Sequence, residues 1–476
     1  MKVLKGLREG RQALIVALIS FLFFLLRLPS LFEPLWYGDE GIYQAIGTSL
    51  NHGKLLYGGV FDNKPPLLYW LYSILHSSQF SVRLTSLIFG LLSVIIFFLL
   101  AKSLFKNRNH IAYLTTFVFA VLFGLPTLEG NIANAENFML LPIVVSAFLI
   151  VGQRNFLLAG LLLGLAFLFK TVAVFDLAAF ALFCFILNFN LIRKWPILLK
   201  MLAGFFVPIA SVTFFFISNG TFIDFIKAIF VSNIAYVNYG NRIGSLPLLL
   251  FIKLGVLGFF LWYIFTKRKH ITESSLFILV WFAFSLFNAF FSQRPYTHYL
   301  LVLIPSLSLM LGAILFDKKY QKIIASTFLI GLLLIMNNFG FPSFKKSPSY
   351  YQNFISYMKG QKTLFQYQSF FDRKTPFDYE IARFIKPKLD KKDSVFVWGN
   401  NAQIYQLLDI VAPTKYIVAY HISNYKDGLI NTKTILDKTK PKFIVVMPNV
   451  SQFSFPLGNY SEKININNAI IYERIF

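Results

Sequence analysis

EPLWYGDEGIYQAIGTSLNHGKLLYGGVFDNKPPLLYW, residues 33–70, is a polar interval set between long apolar runs, and the chain is read outward from it. It holds an adjacent acid pair, Asp39 and Glu40, and later a lysine before two prolines, Lys64-Pro65-Pro66. Trp36, Tyr37, Tyr43, Tyr57, Tyr69 and Trp70 surround both. Such rings favour the headgroup level of a bilayer, where one end is dry and the other wet. A carboxylate pair and a cation held at that depth suit chemistry on a lipid-linked phosphate. The plain alternative is a solvated loop with ordinary interfacial charges.

The 476 residues are 56% hydrophobic, 18% aromatic and 14% charged. A soluble domain carries about 25% charged residues, so the composition is that of a polytopic α-helical membrane protein. The 57 Phe favour lipid-facing helices over an aqueous core. The single cysteine, Cys184, lies in an apolar run, so no intrachain disulfide can form. A net charge of +24 would suggest nucleic acid in a soluble protein. Here the basic clusters fall mostly between apolar segments, where the positive-inside rule explains them, and no nucleic-acid partner is expected.

Residues 12–31 are long enough to span, and Lys2, Lys5, Arg8 and Arg11 before them place the N-terminus in the cytoplasm. This first run shows no small-residue cleavage site and reads as a retained anchor. The loop 32–81 is then outside, and residues 82–100 return to Lys102, Lys106 and Arg108. Alternation continues to a last run at 321–339, giving about eleven spans. Most basic clusters fall on one side, while Asp39, Glu40, Asp62, Glu129 and Glu136 fall on the other. Lys64, Lys170 and Arg294 are basic residues on the acidic side, and anion binding explains them there.

From about residue 341 no run is long enough to span. EIARFIKPKL, AQIYQLLD and GLINTKTILDKTK read as helices; SVFVWG, YIVAY and PKFIVVM read as strands. The alternation suggests a small, mostly parallel sheet. The expected division is a membrane catalytic domain, 1–340, and a small extracytoplasmic α/β domain, 341–476. Gly399 after a strand reads as a structural turn.

Transfer of a sugar from a lipid-phosphate donor needs a base for the acceptor hydroxyl and a fixed cation for the leaving phosphate. Asp39 can be the base, with Glu40 beside it, and Lys64 can hold the phosphate. Lys170 and Arg294 add positive charge. Tyr57 and Asp62 share the loop. Glu136 opens a span, where the macrodipole alone would favour a carboxylate. His298 and Tyr299 lie at an outer boundary, where a lone histidine is more often structural. Pro65 and Pro66 fit a helix start, which aims Lys64 at that helix's first turn.

These residues resemble a known family. GDEGIY (38–43), FDNKPPLLYW (61–70), RLTSLIFG (83–90), ANAENFMLLP (133–142), FLFK (167–170) and RPYTHYLLVLIP (294–305) carry the resemblance. The chain looks like a GT-C fold glycosyltransferase using polyprenyl-phosphate sugars, of the protein O-mannosyltransferase, aminoarabinose transferase and RgtA/B/C/D-like group. The match runs to about residue 310. It implies that Asp39 corresponds to the essential acidic residue of the first outer loop and Lys64 to the lysine contacting the carrier phosphate. Some aminoarabinose transferases have a metal-binding acid directly before that lysine; here Asn63 stands there, with Asp62 one residue back. Asn is a poorer ligand for a transition metal. The metal site of those enzymes is therefore not expected here, and a divalent metal is left open as the cofactor.

The expected activity is transfer of a sugar at the outer face of the cell membrane to a hydroxyl of an envelope lipid, glycan or protein, with inversion. The rivals are a lipid-linked glycan transporter or flippase, a diphosphate-using oligosaccharide ligase, and a non-catalytic scaffold. A transporter would show repeated halves with broken helices, and no internal repeat is evident.

Overall fold

The computed structural model describes residues 2–475 except 107, 188–190, 244, 245, 295, 317–321, 324, 325, 328, 331–345 and 449. Among the described residues six helices are long and apolar enough to cross a membrane: Gly10–Phe32, Gln79–Leu104, Trp195–Ser218, Leu248–His270, Glu273–Phe290 and Thr297–Leu315. Four shorter apolar helices accompany them, Asn109–Gly124, Ala135–Val151, Phe156–Phe169 and Thr171–Leu187. These account for the expected spans up to 316; the expected last one, 321–339, lies largely outside the described residues. The chain is a multi-pass membrane protein, and it folds as two compact units.

The first unit comprises Met1–Ser30, Thr85–Phe215 and Val231–Pro348. Its interior is aromatic. Phe97 stacks on Phe119 with ring centroids 4.3 Å apart, and Phe180, Phe277 and Trp281 form a buried cluster. Lipid offers no hydrophobic drive between helices, so close approach must come from small side chains. Gly160 and Gly164, four apart on helix Phe156–Phe169, provide it. A Cβ at Gly160 would lie 2.0 Å from the Met201 carbonyl oxygen, and one at Gly164 2.4 Å from that of Phe205.

The second unit comprises Leu31–Leu84, Phe216–Phe230 and Ser349–Phe476. The first loop and the C-terminal segment are thus parts of one body. Phe61 N–H donates to the Lys415 carbonyl at 2.9 Å, and Lys54 Nζ to that of Ala412 at 2.6 Å. The loop folds into two helices, Gly38–Asn51 and Pro66–Ile74. Pro65 caps the second and Pro66 begins it, where a missing N–H costs nothing.

The C-terminal sheet has four strands, β1 Val395–Trp398, β2 Phe443–Val446, β3 Tyr460–Ile466 and β4 Ala469–Arg474, in the order β1-β2-β4-β3. The expected strands in SVFVWG and PKFIVVM form and pair in parallel, Val395 opposite Phe443. The sheet is nonetheless mixed, not mostly parallel, because β4 runs antiparallel to both neighbours. YIVAY (416–420) is not a strand of it. Tyr416 makes an isolated bridge with Phe61 of the first loop, and Ala419 begins a helix, Ala419–Asn424. The pairing partner for this segment comes from the loop rather than from the sheet edge. The unforeseen hairpin β3–β4 turns at Asn467-Asn468, both at positive φ (48° and 65°). Asn tolerates that region, and a two-residue turn of this kind matches strand twist.

Candidate functional site

Asp39 and Glu40 open helix Gly38–Asn51, where the macrodipole favours carboxylates. Consecutive helical residues point about 100° apart, and the two acids part company. Asp39 faces Lys64, its Oδ2 3.8 Å from Nζ, with 35% of its side chain exposed. Glu40 turns inward. Both its oxygens bind Arg83, at 3.0 Å from Nε and 2.5 Å from Nη2. Arg83 also meets Glu33 at 2.7 Å. Glu33 in turn accepts from Tyr350 at 2.6 Å and Trp36 at 2.7 Å. The side chains of Arg83 and Glu33 are fully buried, and two carboxylates share one guanidinium. Glu40 thus sits among structural partners, while Asp39 alone of the pair meets solvent beside Lys64.

Lys64 is fixed through its backbone. Tyr57 Oη donates to the Lys64 carbonyl at 2.6 Å, and the Lys64 N–H donates to Tyr69 Oη at 3.2 Å. Tyr57 sits at φ 65°, a conformation uncommon for a non-glycine residue. Its fully buried ring is held between Phe216 and Phe225. The Lys64 ammonium lies 3.8 Å from Asp62 Oδ2 and 5.3 Å from the centre of the Tyr43 ring. Tyr43 Oη donates to Asp39 Oδ2 at 3.2 Å.

Asp62 is buried. It accepts from Tyr69 at 2.6 Å and faces His421 Nε2 at 3.6 Å. Burial alone would raise its carboxyl; the Lys64 charge, His421 and the Tyr69 hydroxyl outweigh that and hold it below the ordinary value. Burial, with the Asp62 charge, pushes the Tyr57 and Tyr69 hydroxyls far up, so both remain donors. Tyr43, Tyr57 and Tyr69, expected as interfacial rings, are buried within the protein, and their hydroxyls organise the loop.

Glu136, Lys170, Arg294, His298 and Tyr299 form a cluster in the first unit. Lys170, ending helix Phe156–Phe169, pairs with Glu136, which opens helix Ala135–Val151. Its ammonium lies 4.2 Å from the centre of the Tyr299 ring. His298 Nδ1 is 2.9 Å from Glu129 and its Nε2 3.8 Å from Glu136. The Arg294 guanidinium lies over Tyr236 and Tyr239, 4.7 and 5.1 Å from their ring centres. Glu129, Tyr236, Glu33, Arg83, Tyr69 and His421 were not singled out in the sequence as site residues. Arg83 could have been, as a charge opening an apolar span; His421 carries no local signal.

Among the described residues no group of three or more His, Cys, Asp or Glu is placed to hold a metal ion. Asn63 and Asp62 are not part of such a group.

The fold is similar to that of ArnT from Cupriavidus metallidurans bound to undecaprenyl phosphate, with a TM-score of 0.56 at 14% identity, covering 97% of this chain and 98% of that one. The chain has a GT-C glycosyltransferase fold. The apo form of the same ArnT matches the GT-C chain equally, TM-score 0.56 and 14% identity over 98% of each. A looser likeness, TM-score 0.45 at 12% identity over 91% of this chain and 67% of the other, links it to the Archaeoglobus fulgidus oligosaccharyltransferase. The profile of a family described as dolichyl-phosphate-mannose-protein mannosyltransferase matches residues 63–218, starting one residue before Lys64. No curated protein matches in sequence.

Proposed function

We propose that this GT-C protein is an integral-membrane glycosyltransferase. It moves a sugar from a polyprenyl-phosphate donor to a hydroxyl of an envelope lipid, glycan or protein. The observation carrying the proposal is the Asp39–Lys64 pair, a partly exposed carboxylate and ammonium 3.8 Å apart on a backbone clamped by tyrosines. Asp39 takes the proton of the acceptor hydroxyl as its oxygen attacks the anomeric carbon. The bond from that carbon to the phosphate oxygen breaks, and Lys64 meets the charge gained by the leaving phosphate. One base acting opposite the leaving group gives inversion, checked by the anomeric coupling of the product in NMR.

Lys170 and Arg294, expected at the donor phosphate, lie in the other unit, where Lys170 is engaged by Glu136; the proposal rests on the unit holding Asp39 and Lys64. Glu40 serves to anchor the helix bearing Asp39. The proposed orientation puts the N-terminus in the cytoplasm, with the first loop and residues 341–476 outside the cell membrane. The C-terminal domain then helps to bind the acceptor.

The test is donor turnover. Purified protein is incubated with a panel of polyprenyl-phosphate sugars and an envelope extract, and free polyprenyl phosphate is followed by chromatography. Sugar-dependent release that disappears in Asp39→Asn is expected. No release with any donor turns the reading toward diphosphate donors or transport; release unchanged in Asp39→Asn removes the site assignment.

A further inference from the structure

His421 reaches the first loop from the C-terminal segment, and the proposed chemistry gives it no part. Its Nε2 faces Asp62 Oδ1 at 3.6 Å, and its side chain is 5% exposed. Phe61, Tyr420 and Tyr425 pack against the ring, with centroids 5.7, 4.3 and 5.7 Å away. Its Nδ1 is buried with no hydrogen-bond partner among the described residues. A charged imidazole would bury an unpaired N–H there, so the fitting form is neutral with its proton on Nε2, toward Asp62. Burial agrees, bringing its pKa down to about 4.

A neutral N–H can orient a carboxylate without cancelling its charge. Asp62 has its Oδ2 bound by Tyr69 and 3.8 Å from Lys64, while His421 stands at Oδ1. The same C-terminal segment fixes Phe61, the residue before Asp62, through a backbone hydrogen bond from Phe61 N–H to Lys415 and the ring of Tyr425 at 4.7 Å.

We propose that His421 is a positioning residue for the donor: it orients Asp62, and Asp62 holds the Lys64 ammonium where the lipid-linked phosphate binds. This rests on the proposed function above, and it makes the C-terminal segment part of donor recognition as well as acceptor binding.

The test compares full-length wild type, His421→Phe and His421→Gln. Phe keeps a ring among Phe61, Tyr420 and Tyr425 but removes the N–H; Gln restores a donor at a reach close to Nε2. Three readouts are taken: thermal midpoint, KM and kcat for the donor, and Kd for polyprenyl phosphate alone. In His421→Phe the expected result is a midpoint near wild type, a KM and Kd raised about tenfold, and kcat changed less than about twofold. His421→Gln is expected to recover most of the loss. Unchanged KM and Kd in a folded Phe variant would overturn the proposal. So would equal loss in both variants with lowered midpoints, the signature of a packing role. If wild type binds polyprenyl phosphate but transfers no sugar, the transferase reading falls, and the Kd comparison still decides the part played by His421.

Discussion

Asp39 and Lys64 stand 3.8 Å apart with opposite charges, both partly exposed. Asn at position 39 keeps the size of the side chain and an oxygen for Tyr43, but cannot accept a proton from the acceptor. Asp39→Asn is therefore expected to lower turnover by about 10²–10⁴ while leaving the Kd for polyprenyl phosphate nearly unchanged. Lys64→Met keeps the stem and removes the charge, so both kcat and phosphate affinity are expected to fall, kcat by about 10²–10³. Equal binding by Lys64→Met and wild type would place the phosphate elsewhere. The sequence carried this much: an acid, a lysine and a helix-starting Pro pair in one loop. It could not say which acid of Asp39-Glu40 meets the lysine, because that depends on where the helix begins and which side Arg83 occupies. Nor could it separate Tyr57 and Tyr69 from interfacial rings, since a tyrosine at a membrane boundary and one closing a loop look alike until their hydroxyl partners are known.

The helices and their ends carry the next level. Arg83, in helix Gln79–Leu104, holds helix Gly38–Asn51 through Glu40 and the preceding turn through Glu33. Removing one partner of a buried charge group costs about 3–5 kcal/mol, because the others stay buried and unpaired. Arg83→Leu is expected to lose that much stability, read as a lowered thermal midpoint in detergent; Glu33→Gln, which leaves one carboxylate on Arg83, should lose less. Close helix packing is a second such feature. Gly160→Leu would force Met201 and its helix away, since even a Cβ there lies 2.0 Å from a carbonyl oxygen, and a larger fall in the midpoint than for Leu161→Ala is expected. The spaced glycines are visible in FLLAGLLLGL but not their partner, which lies about forty residues on.

Helix Thr375–Ile385 adds a pH-dependent element. Asp378 accepts from Asn401 and from Gln403 at 2.7 Å, yet burial raises its pKa from 3.8 to about 7. Between those values the folded state holds a proton that the unfolded state has lost. Stability from this group is thus full at low pH and declines as pH rises toward 7. Asp378→Asn should be more stable than wild type at pH 8, and the difference should vanish by pH 4. A difference independent of pH would show Asp378 charged in the fold.

At the scale of the whole chain, apolar runs and basic clusters made the membrane helices readable, and the C-terminal helices and two buried strands were readable from pattern. The β3–β4 hairpin was not, although Asn467-Asn468 sits between alternating segments, because a strand carrying Ser461, Glu462 and Lys463 on a solvent-facing edge looks like loop. YIVAY was misread for the opposite reason: its composition is that of a strand, but its partner is Phe61 in the first loop, more than three hundred residues earlier. That long-range pairing has a consequence. Leu31–Leu84 and Ser349–Phe476 are one body, joined by Phe61 to Lys415, Lys54 to Ala412 and Glu33 to Tyr350. A chain ending at Pro348 would strip the loop of its backbone partner and leave Glu33 and Asp62 without Tyr350 and His421. Such a truncation is expected to insert in the membrane, to be cut by protease within residues 52–64, and to release no polyprenyl phosphate from any donor. A truncated protein whose loop stays resistant and whose turnover persists would show that the loop folds by itself.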